Sequence, residues 1–273
     1  MNNTIEAILS QDSTQTRILQ LISTGNGKLT IEENGSYRWI RDNDTAYYSI
    51  LDKSKPERLV LPYLQSMMAV LMFVCEIKSI LVLGAGGGAL LRYFNKYLPQ
   101  SILVGIDNDH RIIEATNKYF LNQQWNSPLI KNTDAMSFIL QASQEHYDLI
   151  FVDLFSYGAI PDFFSDVEFY QQCKQSLGSG VIAFNLIIES EADFKLIMSH
   201  LLQVFNKRCL CLTVNNYKNI IVLAFSEQTE FEQDTIILRK KSKNLGNIYD
   251  INFEQLLDEM IETNVCINGK LQY

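Results

Sequence analysis

Three aspartates and one glycine-rich turn are the residues of this chain whose types and spacing could do chemistry. Lys78-Ser-Ile-Leu-Val-Leu-Gly-Ala-Gly-Gly-Gly-Ala89 is an apolar run that ends in a glycine cluster. Val104-Gly-Ile-Asp107 brings a carboxylate about 20 residues later, the spacing of a nucleoside-binding crevice. Gly84 permits a tight turn, Gly86 lets the backbone approach a ligand, and Gly88 lets the next helix pack closely. Asp107 is placed to accept hydrogen bonds from two ribose hydroxyls, although Asp107-Asn-Asp109 is also plain turn chemistry. Asp134, in Lys131-Asn-Thr-Asp-Ala135, and Asp153, in Tyr147-Asp-Leu-Ile-Phe-Val-Asp153, follow the next two apolar runs. The glycines alone fit both dinucleotide and S-adenosylmethionine (SAM) binding. A dinucleotide site predicts no role for Asp134 or Asp153. A SAM-type site can use all three acids: one on the ribose, one on the adenine amino group, one facing the transferred group. Asp134 can equally cap the helix that follows it. An irregular stretch separates Asp153 from its next helix.

These acids need elements that bring them to one edge. Strands are expected at 79–83, 102–106, 128–132, 148–153, 180–187, 208–214 and 219–225. Helices are expected near 88–98, 109–120, 135–143, 166–177 and 190–205. Alternation of this kind predicts an α/β fold with a doubly wound, mostly parallel sheet. Asn215-Asn-Tyr-Lys218 is too short for a crossover, so the last strand should run antiparallel. Ahead of this domain, residues 1–27 show a weak helical period (Ile5, Ile8, Leu9; Ile18, Leu19, Ile22). Residues 28–51 read as a small β region, with Asn34-Gly35 as a hairpin signal and Asp42-Asn-Asp44 as a second turn. Residues 56–76 read as helical, broken or kinked at Pro62. The tail holds one amphipathic helix near 252–262. The expected division is an N-terminal β-hairpin region at 1–55, a Rossmann-like catalytic domain at 56–228 and a C-terminal extension at 229–273.

Composition removes several classes. The 273 residues carry 23 Lys+Arg against 31 Asp+Glu, a net charge of −8, which excludes a broad basic face for nucleic acid. Cysteines 75, 173, 209, 211 and 266 form no Cys-x-x-Cys, and His110, His146 and His200 are scattered. Neither a disulfide framework nor a metal site is expected. The polar start and the shortness of the longest apolar stretch, Met67 to Cys75, point to a cytoplasmic protein without membrane association; a span needs ~20 apolar residues. That stretch and the hairpin are candidates for a homodimer surface, with core packing as the other fate.

Four further segments carry a resemblance. Tyr63-Leu-Gln-Ser-Met-Met68, Tyr147-Asp-Leu-Ile-Phe-Val-Asp153, Phe163-Phe-Ser-Asp-Val-Glu-Phe-Tyr170 and Leu177-Gly-Ser-Gly-Val181 make residues 28–225 similar to the spermidine synthase (polyamine aminopropyltransferase) family of the class I SAM-methyltransferase fold. The resemblance implies decarboxylated SAM, or SAM, as co-substrate and a polyamine as acceptor. It implies Asp153 as the base, Asp107, Asp134 and Ala135 with the glycines around the nucleoside, and Tyr63, Ser156 and Tyr157 along the acceptor channel. The attacking amine must first lose a proton, which a carboxylate in a dry site can take. The chain departs from the family pattern at Gly87, Gly105 and Ser156, each standing where an acid is usual. Gly105-Ile-Asp107 is the form common in methyltransferases. Methyl transfer from SAM and silent nucleoside binding are therefore the competing expectations.

Overall fold

The computed structural model describes residues 3–10, 12, 14–24, 27–42, 46–121, 130–141, 146–154, 161–188 and 190–273. Helix α1 (Asn3–Ser10) turns Ile5 and Leu9 into the core. Strands β1 (Arg17–Thr24), β2 (Gly27–Glu33), β3 (Tyr37–Asp42) and β4 (Ala46–Asp52) then form an antiparallel sheet in that order. The helical period expected over 18–22 is corrected by β1. Its apolar residues are too few to set a period, and pairing with β2 decides the conformation of a stretch rich in β-branched residues. The β2–β3 turn uses Asn34 for its side chain. Asn34 Oδ1 accepts from the backbone N–H of Ser36 (3.1 Å) and Tyr37 (2.7 Å), while Nδ2 donates to the Leu9 carbonyl (2.9 Å). Residues 43–45, most of the second expected turn, lie outside the described residues.

Pro62 neither breaks nor kinks a helix. It opens α2 (Pro62–Met67) at the first helical position, where its missing N–H would have had no partner. The chain continues as a 3-10 helix over Met68–Met72. Met67 to Phe73 are each at most 4% exposed and pack in the core, while Val74 and Cys75, which end the apolar stretch, are half-buried and exposed.

The remaining elements alternate. They are β5 (Ser79–Leu83), α3 (Ala89–Tyr97), β6 (Ile102–Asp107), α4 (His110–Tyr119), β7 (Ile130–Asn132), α5 (Ala135–Gln141) and β8 (Tyr147–Val152). After them come α6 (Val167–Gln175), β9 (Leu177–Ile187), α7 (Glu191–Val204), β10 (Cys209–Thr213) and β11 (Asn219–Phe225). The sheet order is β10-β11-β9-β8-β5-β6-β7. Pairing is parallel from β9 through β7, and β11 runs antiparallel to both β9 and β10. Central strands are apolar on both faces because helices cover both sides: Ile80, Leu81, Val82 and Leu83 are at most 1% exposed.

The tail holds more than one helix. α8 (Thr235–Tyr249) precedes α9 (Phe253–Thr263), and β12 (Cys266–Ile267) with β13 (Lys270–Leu271) closes the chain. The buried stripe of α8 is Leu238, Ser242, Leu245, and the serine in its middle hides the helical period from a hydropathy reading. Among the described residues no helix is long and apolar enough to cross a membrane.

Candidate functional site

Strand order reverses at β5, whose neighbours are β8 on one side and β6 on the other. Crevices for ligands open at the carboxyl ends of strands at such a point. Along that edge the order β8-β5-β6-β7 sets Asp153, the glycine turn, Asp107 and Asp134 in sequence.

The glycine turn is defined by contact with its neighbours. Gly84 has φ +86°, and a Cβ there would sit 2.1 Å from the Asp153 carbonyl oxygen. Only glycine allows the chain after β5 to lie against the chain after β8. Gly86, at φ +47°, faces open space. Its N–H donates to Asp107 Oδ2 (2.8 Å), and Asp109 N–H donates to Asp107 Oδ1 (3.0 Å). Asp107 is thus tied to the glycine turn itself. Burial pushes its carboxyl above the usual range, opposed by these backbone donors. Gly88 packs against Leu121 and Thr116, and the Thr116 hydroxyl donates to the Gly86 carbonyl (2.8 Å).

Asp134 is exposed, and its Oδ1 accepts from the Ser137 N–H (2.9 Å), so it caps α5. Ala135 follows as the first, buried residue of that helix. Ser156 and Tyr157 lie outside the described residues.

Asp153 is the centre of a polar cluster. Tyr63 from α2 donates its hydroxyl to Asp153 Oδ2 (3.2 Å), and Asn185 Nδ2 from β9 donates to Oδ1 (2.8 Å). Asn219 Nδ2, at the start of β11, donates in turn to Asn185 Oδ1 (2.8 Å). Asp153 keeps partial exposure at the sheet edge, yet burial of its carboxyl pushes it up to about 6 against the two hydrogen bonds. Burial, then the Asp153 charge, holds the Tyr63 hydroxyl well above its ordinary range. A carboxyl near 6 is poised to exchange a proton at neutral pH.

Gly87 and Gly105, where the resemblance implies acids, leave little room for a side chain. A Cβ at Gly87 would lie 2.4 Å from Ser49 Cβ on β4, and one at Gly105 would lie 3.1 Å from Leu91 Cδ1 and 3.2 Å from Ala85 Cβ. The N-terminal sheet therefore occupies the space a side chain at 87 would need.

Sequence reasoning missed three residues here. Asn185 carried a signal, as the lone amide in the apolar run Val181-Ile-Ala-Phe-Asn-Leu-Ile187. Asn219 carried none, because its place depends on β11 inserting beside β9. Arg92 is fully buried on α3; its Nε donates to the Pro56 carbonyl (2.8 Å) and its Nη1 to the Gly87 carbonyl (2.5 Å). Burial lowers its guanidinium to about 9. It braces the glycine turn from behind.

Comparison with known proteins adds the following. Residues 62–236 match the family model described as the spermine/spermidine synthase domain. A polyamine aminopropyltransferase of Chromobacterium violaceum is 27% identical over 246 residues, 89% of this chain and 93% of the relative. A probable spermidine synthase from Corynebacterium glutamicum superposes with a TM-score of 0.69 at 19% identity, covering 94% of this chain and 99% of the other. A spermidine synthase in complex with the transition-state analogue AdoDATO gives 0.65 at 19% identity, covering 90% and 85%.

Proposed function

The chain belongs to the spermine/spermidine synthase family, and from that premise we propose that it transfers the aminopropyl group of decarboxylated SAM to an amine, with Asp153 as the base. The observation that carries this reading is the Asp153 carboxyl, raised to about 6 and held between Tyr63 and Asn185 beside the glycine turn. The acceptor's ammonium gives its proton to Asp153. The freed lone pair attacks the carbon next to the sulfonium. The carbon–sulfur bond breaks and its pair stays on sulfur, releasing methylthioadenosine. The sulfonium is already a good leaving group, so positioning supplies much of the rest.

Gly84 and Gly86 would bring the backbone to the donor nucleoside, with Gly88 seating the helix behind them, and Asp107 would take the ribose. Asp134, with Ala135, would reach the adenine from the start of α5. Tyr63 gives the acceptor channel an apolar wall with one polar tip. Ser156 and Tyr157 remain candidates for the same channel. Acids are absent at 87 and 105, and losing one charged hydrogen-bonding partner typically costs ~1.5–3 kcal/mol. A polyamine acceptor is therefore expected to bind with a high KM. Methyl transfer and silent binding are less supported, because the family model and the relative both point to aminopropyl transfer.

Incubation with decarboxylated SAM and putrescine, followed by chromatography, tests the reading. Methylthioadenosine and spermidine should form in equal amounts. Their absence above background, with an intact donor-binding isotherm, would remove putrescine as acceptor; absence with every primary amine tried would sink aminopropyl transfer.

A further inference from the structure

We propose that Asn219 is a positioning residue for the transfer: by donating to the Asn185 carbonyl it holds the Asn185 amide with its NH2 group toward Asp153 and keeps the Asp153 carboxylate in its ionised, proton-accepting form. The inference rests on the reading of Asp153 as the base.

An ionised carboxylate only accepts, whereas a primary amide has a donor end and an acceptor end that exchange places on a half-turn. Asn185 by itself has no preference between the two orientations. With its NH2 group inward it donates to Asp153 Oδ1 at 2.8 Å. With its carbonyl inward, two acceptors would meet at that distance, which is tolerable only if Asp153 carries a proton. Amide orientation and carboxyl ionisation are therefore coupled. Asn219 weights this balance: with its Nδ2 2.8 Å from Asn185 Oδ1, the orientation that turns the Asn185 NH2 group toward Asp153 satisfies both ends of the Asn185 amide at once. Asn185 and Asn219 are 1% and 6% exposed, so water competes poorly for either amide.

Register explains why Asn219 is in reach. On β8 and β9, Val152 lies opposite Phe184, which brings the next residues, Asp153 and Asn185, side by side. On β11, Ile221 lies opposite Asn185 and Asn219 opposite Ile187. Asn219 thus sits diagonally from Asn185 on the same face of the sheet. A parallel β11 would have begun at the opposite edge.

The groups that face Asp153 from the surrounding elements leave few other sources of a shift. α2 presents the Tyr63 hydroxyl, β9 presents Asn185 and β11 reaches it through Asn219. β5 and its turn present the Leu83 carbonyl and Gly84. Among the described residues Tyr63 is the titratable group in contact, and burial holds it far from ionisation.

Two readouts test the proposal on the full-length protein. One is the pH dependence of kcat/KM. The other is direct titration of the Asp153 carboxyl by carbon-13 NMR of aspartate-labelled protein, with the resonance assigned from Asp153→Asn. Asn219→Leu keeps the volume and removes the donor; the Asp153 midpoint should rise by about one pH unit, so that the acid limb of kcat/KM falls about tenfold. Asn219→Ser, which keeps a donor, should move the midpoint less. In an Asn185→Ala background, Asn219→Leu should add no further shift, because its effect runs through Asn185. An unmoved NMR midpoint in a folded Asn219→Leu protein would overturn the proposal, and so would a shift in Asn219→Ser as large as that in Asn219→Leu, or equal shifts with and without Asn185. Absence of transfer by the unaltered enzyme would instead remove the base reading, while the NMR titration still reports on the amide pair.

Discussion

Asp153 combines a raised pKa with two donors, and this sets opposite pH dependences for activity and stability. As a base it must be ionised, so kcat/KM should rise with pH through about 6. For stability the sign is reversed. The folded-state value, about 6, lies above the ordinary 3.8, so the folded chain holds the proton more tightly than the unfolded chain. The Asp153 contribution is fully favourable below about pH 4 and is lost as pH rises through 6. Asp153→Asn should therefore abolish transfer with little loss of donor affinity. It should also unfold at higher denaturant at pH 8, by up to about 3 kcal/mol, with the gap closing toward pH 4. Loss of stability on this substitution at pH 8 would contradict the buried-carboxylate account. Gly84 is tested by Gly84→Ala. Its added methyl meets the Asp153 carbonyl and a positive φ together, so a loss of about 3 kcal/mol or more is expected, along with nucleoside binding.

At the scale of elements, the N-terminal sheet and the last strand of the large sheet shape the site from opposite sides. β4 puts Ser49 against Gly87, and this contact excludes a side chain from the turn. Gly87→Asp, which installs the acid that the sequence resemblance implies, should cost about 1–3 kcal/mol in urea unfolding rather than improve catalysis. Combining it with Ser49→Gly should recover part of that loss; strict additivity of the two changes would mean that they do not share the contact. On the other side, β11 carries Asn219 to the working edge because it runs antiparallel. The edge strand β10 of the same sheet is blunted by a side chain. Asn264 accepts from the Cys211 N–H (2.8 Å) and donates to the Cys211 carbonyl (2.7 Å), taking the place of a further strand.

Across the whole molecule, one apolar core joins regions that are far apart in sequence. Ile5 of α1, Trp39 of β3, Met67 to Phe73, Ile80 and Val82 of β5, and Leu238, Phe253, Leu257 and Met260 of the tail all belong to it. The tail is thus a wall of the core, although it stands outside the alternating β/α pattern. Phe253→Ala should cost about 3–5 kcal/mol in global unfolding, as for a central aromatic of the sheet. A chain ending at residue 228 should fail to give a cooperative melt by circular dichroism. A cooperative melt unchanged from that of the full chain would show the tail to be dispensable.

The sequence by itself determined the alternating elements, the antiparallel last strand, the glycine turn and the three acids at one edge. Each of these is local: an apolar run, a connection too short for a crossover, a residue type at a turn. Only the tertiary structure decided that β1 is a strand, that Pro62 starts a helix and that Met67 to Phe73 is core. It also placed α8, whose stripe is interrupted by Ser242. The partners of Asp153 were decided there too. Tyr63, Asn185 and Asn219 come from α2, β9 and β11, and strand register brings the two amides into line with the carboxyl. A residue's type announces that it can accept or donate a proton. Its burial and its partners, which fix when it does so, depend on chain segments too distant for a local reading to join.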